Sequence, residues 1–146
     1  MLPVPAALRP PVCLLPLAAS SVAAGFPSPA TDHLEGALDL NQLLVLRPHA
    51  TFFVRVTGES MRGAGIHPGD LLVVDRAELA RDGSIVLAVL DGEFTVKRWR
   101  RRGGRWRLEA DNPDYPDIDV HGRTFEIWGV VLHAVRDLGA GRARPG

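Results

Sequence analysis

The hydrophobic residues of this chain fall mainly in short runs that are bounded by glycine, proline and aspartate. Six runs beyond residue 50 are rich in β-branched and aromatic residues, which is typical of strands. They span residues 52–56, 71–75, 85–90, 93–99, 105–108 and 125–135. This close spacing predicts a mostly β fold, either an antiparallel sandwich or a partly closed barrel.

Tight turns are predicted between several of these runs. Asp82-Gly83, Asp91-Gly92 and Gly103-Gly104 each separate two β-rich segments, and such pairs are strong hairpin signals. Gly58 permits a sharp turn after the first run, where the segment Gly-Glu-Ser-Met begins.

Residues 31–48 are expected to be the one good helical segment of the chain, and the helix is short. Asp39 and Gln42 have the spacing of a capping box, and Pro48 would end the helix. The apolar stripe consists of Leu40, Leu43 and Leu44. A packing role is therefore predicted for this helix.

The first 24 residues are expected to form an extended arm, because several prolines there disfavour a helix. The prolines are Pro3, Pro5, Pro10, Pro11 and Pro16. The apolar stretch 11–24, with its small-residue end, leaves a secretory signal as an alternative. Leu138 and the residues after it are expected to fray.

Chain length, net charge and cysteine content limit the kinds of partner and compartment that are expected. A chain of 146 residues suits one compact domain, and 17 basic residues balance 17 acidic ones. General attraction to nucleic acid or to an anionic membrane is therefore not expected. Cys13 is the single cysteine and cannot form an internal disulfide, which favours the cytoplasm. No apolar run approaches the roughly 20 residues of a membrane span.

Several kinds of site have little support. The five histidines are scattered and there is no cysteine pair, so no metal is expected. A dinucleotide or phosphate loop and the G-x-S-x-G elbow of α/β-hydrolases are also not matched. Six arginines and two tryptophans in residues 98–107 fit either a nucleic-acid surface or a solvated hairpin edge.

The distribution of arginine and lysine in the chain indicates one candidate for a catalytic base. The chain has 16 arginines and only one lysine, Lys97, on a predicted strand. Arginine stays charged in proteins, whereas a desolvated lysine amine can become a neutral base.

Ordered segments along the chain resemble one family. They are Gly58-Glu59-Ser60-Met61, GDLLVVD at 69–75, DGEFTVKR at 91–98, NPDYP at 112–116, GFPSPA at 25–30 and DLNQLL at 39–44. Together they resemble the self-cleaving serine proteases of the LexA and UmuD family, with the UmuD members most similar. The resemblance covers nearly all of residues 25–137.

The resemblance implies a site and a substrate. Ser60 would be the nucleophile and Lys97 the general base of a Ser-Lys pair, with no cofactor. The scissile bond would join Ala24 to Gly25, and the backbone N–H groups of Glu59 and Ser60 would be the oxyanion donors. UmuD members are expected to have cysteine in place of Ala24, whereas LexA-type repressors cut an Ala-Gly bond.

The resemblance also implies partners and boundaries. Residues 1–24 would be a removable arm, 25–138 the self-cleaving β-domain and 139–146 a flexible tail. Too few residues precede the bond for a helix-turn-helix domain, so sequence-specific DNA binding is not expected. The expected partners are a second copy in a homodimer, a RecA filament on single-stranded DNA and a UmuC-type error-prone polymerase, with no membrane.

The sequence leaves two alternatives to a self-cleaving function. A signal-peptidase-like protease would also use a Ser-Lys pair on a related fold. A catalytically inactive β-domain would use the hairpin at 98–107 for contacts only.

Overall fold

The computed structural model describes residues 4–5, 11–18, 21–22, 24–25 and 34–139. The strands are β1 (Val4–Pro5), β2 (Leu15–Ala18), β3 (Leu34–Leu38), β4 (Thr51–Arg55), β5 (Leu71–Asp75), β6 (Ile85–Leu90), β7 (Glu93–Arg102), β8 (Arg105–Glu109), β9 (Ile118–Asp119) and β10 (Phe125–Val135). The α-helix α1 (Leu40–Leu44) lies between β3 and β4, and short 3-10 turns lie at Pro48–Ala50 and Arg62–Ala64.

Eight of these strands form one sheet in the order β1-β4-β5-β10-β6-β7-β8-β9. Every pair of neighbours in it is antiparallel. β2 and β3 form a separate two-stranded sheet. The predicted mostly β, antiparallel fold class is therefore confirmed, and all six predicted strands are present with small changes at their ends.

Two of the three predicted hairpin turns are confirmed by the backbone. Asp82-Gly83 forms a turn but not a hairpin, because β5 and β6 are each paired with β10 and not with each other. Asp91 and Gly92 join β6 to β7 with φ angles of 49° and 83°, and Gly103 and Gly104 join β7 to β8 with 58° and 78°. Positive φ at both central residues is what a type I′ turn requires, and only glycine, asparagine and aspartate adopt it readily.

The core lies on both faces of the large sheet. Leu87 of β6 packs in one cluster with Met61, whereas its neighbours Val86 and Ala88 belong to a second cluster with Trp99. Successive residues of a strand point to opposite faces, so β6 is buried on both sides. The first cluster lies beneath the segment that carries Ser60.

The helix prediction was wrong in extent and in role. The helix comprises only Leu40–Leu44, and residues 34–38 form β3 because they pair with β2. Asp39 caps the helix as predicted, but its carboxylate accepts from Asn41 N at 2.9 Å rather than from Gln42. Leu40 and Leu43 are 56% and 49% exposed, so this helix does not pack into the described core.

Two segments of the predicted arm are β-strands. β1 pairs with the edge of β4 at Phe52 and Phe53, and β2 pairs with β3. Residues 140–146 of the predicted 139–146 tail lie outside the described residues, and the three predicted segment boundaries remain predictions. None of the helices in the described part of the chain is long and apolar enough to cross a membrane.

Candidate active site

Ser60 lies in a tight turn between β4 and the 3-10 turn at Arg62–Ala64. Gly58 makes the turn with a φ of 79°, a conformation that glycine adopts without strain. The next side chain, Met61, is only 3% exposed and packs in the core. The buried side chain of Met61 therefore holds the turn against the core, while Ser60 itself is half-buried.

Lys97 lies on β7 and its amine reaches this turn. Its Nζ donates to Ser60 Oγ at 2.9 Å, to Thr95 Oγ1 at 3.0 Å and to the backbone oxygen of Val96 at 3.3 Å. Thr95 precedes Lys97 by two positions, so both side chains leave the same face of the strand. The structure thus brings the predicted nucleophile and the predicted base within hydrogen-bond distance.

The environment of Lys97 favours the neutral amine. The residue is only 9% exposed, and the three acceptors of its Nζ are all uncharged oxygens. Burial lowers the pKa of Lys97 below its ordinary value of 10.5 because the charged form loses its water. A lysine with a lowered pKa, beside a hydroxyl, can act as a general base.

Ser60 and Lys97 lie at a cleft of about 270 Å³. One wall is formed by the end of β4 and the following turn, and the other by the start of β7. The lining residues are Val54, Arg55, Val56, Thr57, Gly58, Ser60, Met61, Leu87, Phe94, Thr95, Val96 and Lys97. Two backbone segments that face each other across a cleft lined by both polar and apolar residues suit an extended peptide.

Backbone donors are available beside Ser60. Within the described residues, the N–H groups of Glu59 and Ser60 donate to no protein acceptor, whereas Arg62 N donates to Glu59 O at 3.2 Å. Free N–H groups next to a nucleophile are the usual donors for an oxyanion. The predicted role of Glu59 and Ser60 as oxyanion donors is compatible with this geometry and remains a prediction.

The predicted scissile bond lies elsewhere in this structure. Ala24 and Gly25 form an exposed bend after β2, and neither lines the cleft. A Cβ added to Gly25 would meet no heavy atom within 4 Å beyond its chain neighbours. The structure therefore brings Ser60 and Lys97 together but does not bring Ala24 and Gly25 to them.

The arginine-rich hairpin of β7 and β8 is largely self-paired. Glu109 accepts from Arg102 at 2.6 Å, and Asp119 pairs with Arg105 at 3.3 Å. Trp99 stacks on Trp106 with ring centroids 4.6 Å apart, so these rings contact each other rather than solvent-exposed bases. These contacts favour the solvated hairpin edge over a nucleic-acid surface.

Two features of the site were missed at the level of sequence. Thr95 is uncharged, and its hydroxyl oxygen accepts a hydrogen bond that fixes the position of the Lys97 amine. The i, i+2 spacing of Thr95 and Lys97 on a strand could have indicated this contact. The loop at Asp111 and Asn112 contacts the turn that carries Ser60, and no local pattern indicated this contact. In the described ranges, no group of three or more His, Cys, Asp and Glu side chains is arranged to hold a metal ion.

Comparison with known proteins identifies the family. The peptidase S24-like family matches residues 16–132. The chain is 52% identical over 122 residues to protein ImpA of Salmonella typhimurium, covering 82% of each protein. It is 48% identical over 124 residues to protein SamA of Salmonella typhimurium strain LT2, covering 83% of this chain and 86% of SamA.

A repressor is also similar. The LexA repressor of Dechloromonas aromatica is 45% identical over 118 residues, which cover 80% of this chain and 58% of the repressor. With a mostly β fold, a matching family over most of its length and relatives near 50% identity, the chain belongs to the peptidase S24-like family of serine peptidases, the family of the LexA and UmuD proteins.

Proposed function

We propose that this protein is a UmuD-like serine peptidase that cleaves its own chain between Ala24 and Gly25. The observation that carries the proposal is the 2.9 Å contact between Lys97 Nζ and Ser60 Oγ, made by a buried lysine among uncharged acceptors. A buried lysine with a purely structural role is expected to have a carboxylate partner, because an unpaired buried ammonium group destabilises the folded state. The buried, uncharged surroundings of Lys97 instead suit a residue that accepts a proton.

The reaction follows from the positions of these atoms. Ser60 Oγ attacks the carbonyl carbon of Ala24 while its proton passes to neutral Lys97, and the N–H groups of Glu59 and Ser60 stabilise the oxyanion. When the Ala24–Gly25 bond breaks, Lys97 returns the proton to the leaving amine of Gly25. A water molecule then attacks the ester on Ser60 and gives a proton to Lys97, which passes it to Ser60 Oγ as the ester bond breaks and the carboxyl group of Ala24 is released.

The cellular role is proposed from the resemblance to UmuD proteins and from the similarity to ImpA and SamA. The protein acts in the cytoplasm, in the SOS response to DNA damage, as a homodimer. A RecA filament on single-stranded DNA stimulates self-cleavage. The processed form then joins a UmuC-type error-prone polymerase as an accessory subunit for translesion synthesis.

Self-cleavage can be tested by mass. Purified protein is incubated alone at about pH 10, and separately near neutral pH with RecA, single-stranded DNA and ATP. We expect loss of residues 1–24 under both conditions, and without RecA a rate that rises with pH, because alkali populates neutral Lys97.

Two variants provide the controls. Ser60→Ala and Lys97→Ala should both remain intact, since each removes one member of the pair. A wild-type chain that stays whole under both conditions would contradict the proposed function. Cleavage at alkaline pH without any response to RecA would support the peptidase and contradict its proposed trigger.

A further inference from the structure

A loop between β8 and β9 contacts the turn that carries Ser60. Asn112 Nδ2 donates to the backbone oxygen of Glu59 at 2.9 Å, and Gly63 N donates to the backbone oxygen of Asp111 at 2.6 Å. These two hydrogen bonds attach to the turn on both sides of Ser60. A Cβ at Gly63 would meet Asp111 O at 2.5 Å, so the close approach depends on glycine at this position.

The same loop is anchored to the strand that carries the base. The carboxylate of Asp111 accepts from Arg98 Nε at 3.0 Å and from the Arg98 terminal nitrogen Nη2 at 2.6 Å. Arg98 directly follows Lys97 on β7, and successive side chains of a strand leave opposite faces. One strand thus holds Lys97 against Ser60 and, through Arg98, holds the loop that contacts the Ser60 turn.

The bond from Asn112 has a direct consequence for the N–H group of Ser60. The oxygen of Glu59 and the N–H of Ser60 belong to one peptide unit, and no cis peptide bond occurs in the described residues. In a planar trans peptide these two groups point in opposite directions. Fixing the Glu59 oxygen on Asn112 therefore also fixes the direction in which the Ser60 N–H points.

We propose that Asp111 and Asn112 form a brace that positions Ser60 and its N–H group for the self-cleavage reaction. Asn112 is a positioning residue, because it acts through Glu59 and does not contact the reacting atoms. The effect on cleavage rests on the proposed function, whereas the effect on the order of the turn does not. A donor that is misplaced by about 1 Å can cost on the order of 100-fold in rate.

The chain offers a matched pair of variants. In Asn112→Asp, the side chain keeps the size of asparagine and can still accept from Asp114 N, as Asn112 Oδ1 does at 3.0 Å, but it cannot donate to Glu59. Asn41→Asp makes the same chemical change at the only other asparagine of the chain, on an exposed part of the helix. Gly63→Ala provides a second variant, since φ at Gly63 is not positive and alanine would clash only with Asp111.

Two measurements on the full chain test the brace. Amide hydrogen exchange at Arg62 and Gly63, whose N–H groups donate to the backbone oxygens of Glu59 and Asp111, should rise about tenfold or more in Asn112→Asp and Gly63→Ala and should not change in Asn41→Asp. The melting temperature of Asn112→Asp should stay unchanged. Self-cleavage at pH 10 should fall about 10- to 100-fold in the same two variants and stay at the wild-type rate in the control.

The outcomes separate the two proposals. Wild-type exchange at Arg62 and Gly63 in both variants would overturn the brace, whether or not the chain cleaves itself. Faster local exchange with wild-type cleavage would overturn its role in positioning Ser60 for the reaction. A wild-type chain that never cleaves would contradict the proposed function alone, because the exchange measurement would still decide whether the brace orders the turn.

Discussion

The Ser60–Lys97 pair and the Ala24–Gly25 segment differ sharply in how they are held. Lys97 makes three hydrogen bonds and is buried, and Ser60 lies in a turn fixed by the core residue Met61. Ala24 and Gly25 lie in an exposed bend, and the space around Gly25 is open. The chemical groups are in place before the predicted substrate arrives.

This contrast indicates where control is exerted. Since the pair needs no rearrangement to meet its hydrogen-bond geometry, we expect delivery of the arm to the cleft to limit the rate of the proposed reaction. An activator such as the proposed RecA filament would then act by favouring the arm position that presents Ala24 to Ser60. Changes to the pair and changes to the arm should therefore affect self-cleavage in different ways.

The largest effect is expected from changing the base while keeping its charge. Lys97→Arg should lower self-cleavage by about 1000-fold or more at every pH up to 10, because a guanidinium does not become neutral in this range. Mass spectrometry over a pH series measures the rate. Arg101→Lys makes the reverse exchange at an exposed position of the same strand and should cleave normally. Appreciable cleavage by Lys97→Arg would rule out Lys97 as the base.

A smaller effect is expected from the arm. Gly25→Val should lower self-cleavage by about 100-fold, since a branched side chain keeps the extended arm away from Ser60. The melting temperature should not change, because an added Cβ meets no heavy atom within 4 Å. Val12→Ala, at an arm residue that is 67% exposed, is the control and should cleave as the wild type does. Unchanged cleavage of Gly25→Val would place the scissile bond elsewhere.

The smallest effect is one of stability. Lys97→Met should raise the free energy of unfolding at neutral pH by about 1 kcal/mol, because the folded wild type must either bury the Lys97 cation without a charged partner or give up its proton. Denaturant unfolding of Ser60→Ala and of Ser60→Ala with Lys97→Met measures this without interference from cleavage.

The sign of the pH dependence follows from the lowered pKa of Lys97. The unfolded chain binds more protons between the folded-state pKa and 10.5, so the stability of the wild type rises with pH in that window. The advantage of Lys97→Met should therefore be greatest below the folded-state pKa and should disappear above about 10.5. An advantage that is constant with pH would mean that burial of the charge is not its cause. Arg101→Met, at an exposed cation, should show no such trend.

Much of the β-domain could be predicted from the sequence because its signals are local. Alternating or continuous runs of β-forming residues specified the strands, and Asp91-Gly92 and Gly103-Gly104 specified the turns through their backbone preferences. The order of strands in the sheet could not be read in the same way. β10 lies between β5 and β6, a pairing between residues that are far apart in sequence.

The errors and omissions have the same cause. Residues 34–38 were predicted as helix because Asp39 and its neighbours carry helix signals, whereas pairing with β2 makes them a strand. The candidate pair, Ser60 and Lys97, could be selected from residue chemistry and resemblance, but the burial that lowers the pKa of Lys97 comes from side chains of several strands. The contact between Asn112 and Glu59 joins two loops, and no local pattern encodes it.

Removal of the arm would uncover the edges of two strands, because strands of the arm pair with them. β1 lies on the outer edge of β4, and β2 is the only partner of β3 in the described part of the chain. Both β1 and β2 precede the predicted cut, so cleavage would separate them covalently from the strands they cover. The product would present open N–H and C=O groups along β4 and β3, which another protein can extend by adding a strand. The shortened protein would carry a backbone docking edge that the full-length chain keeps occupied.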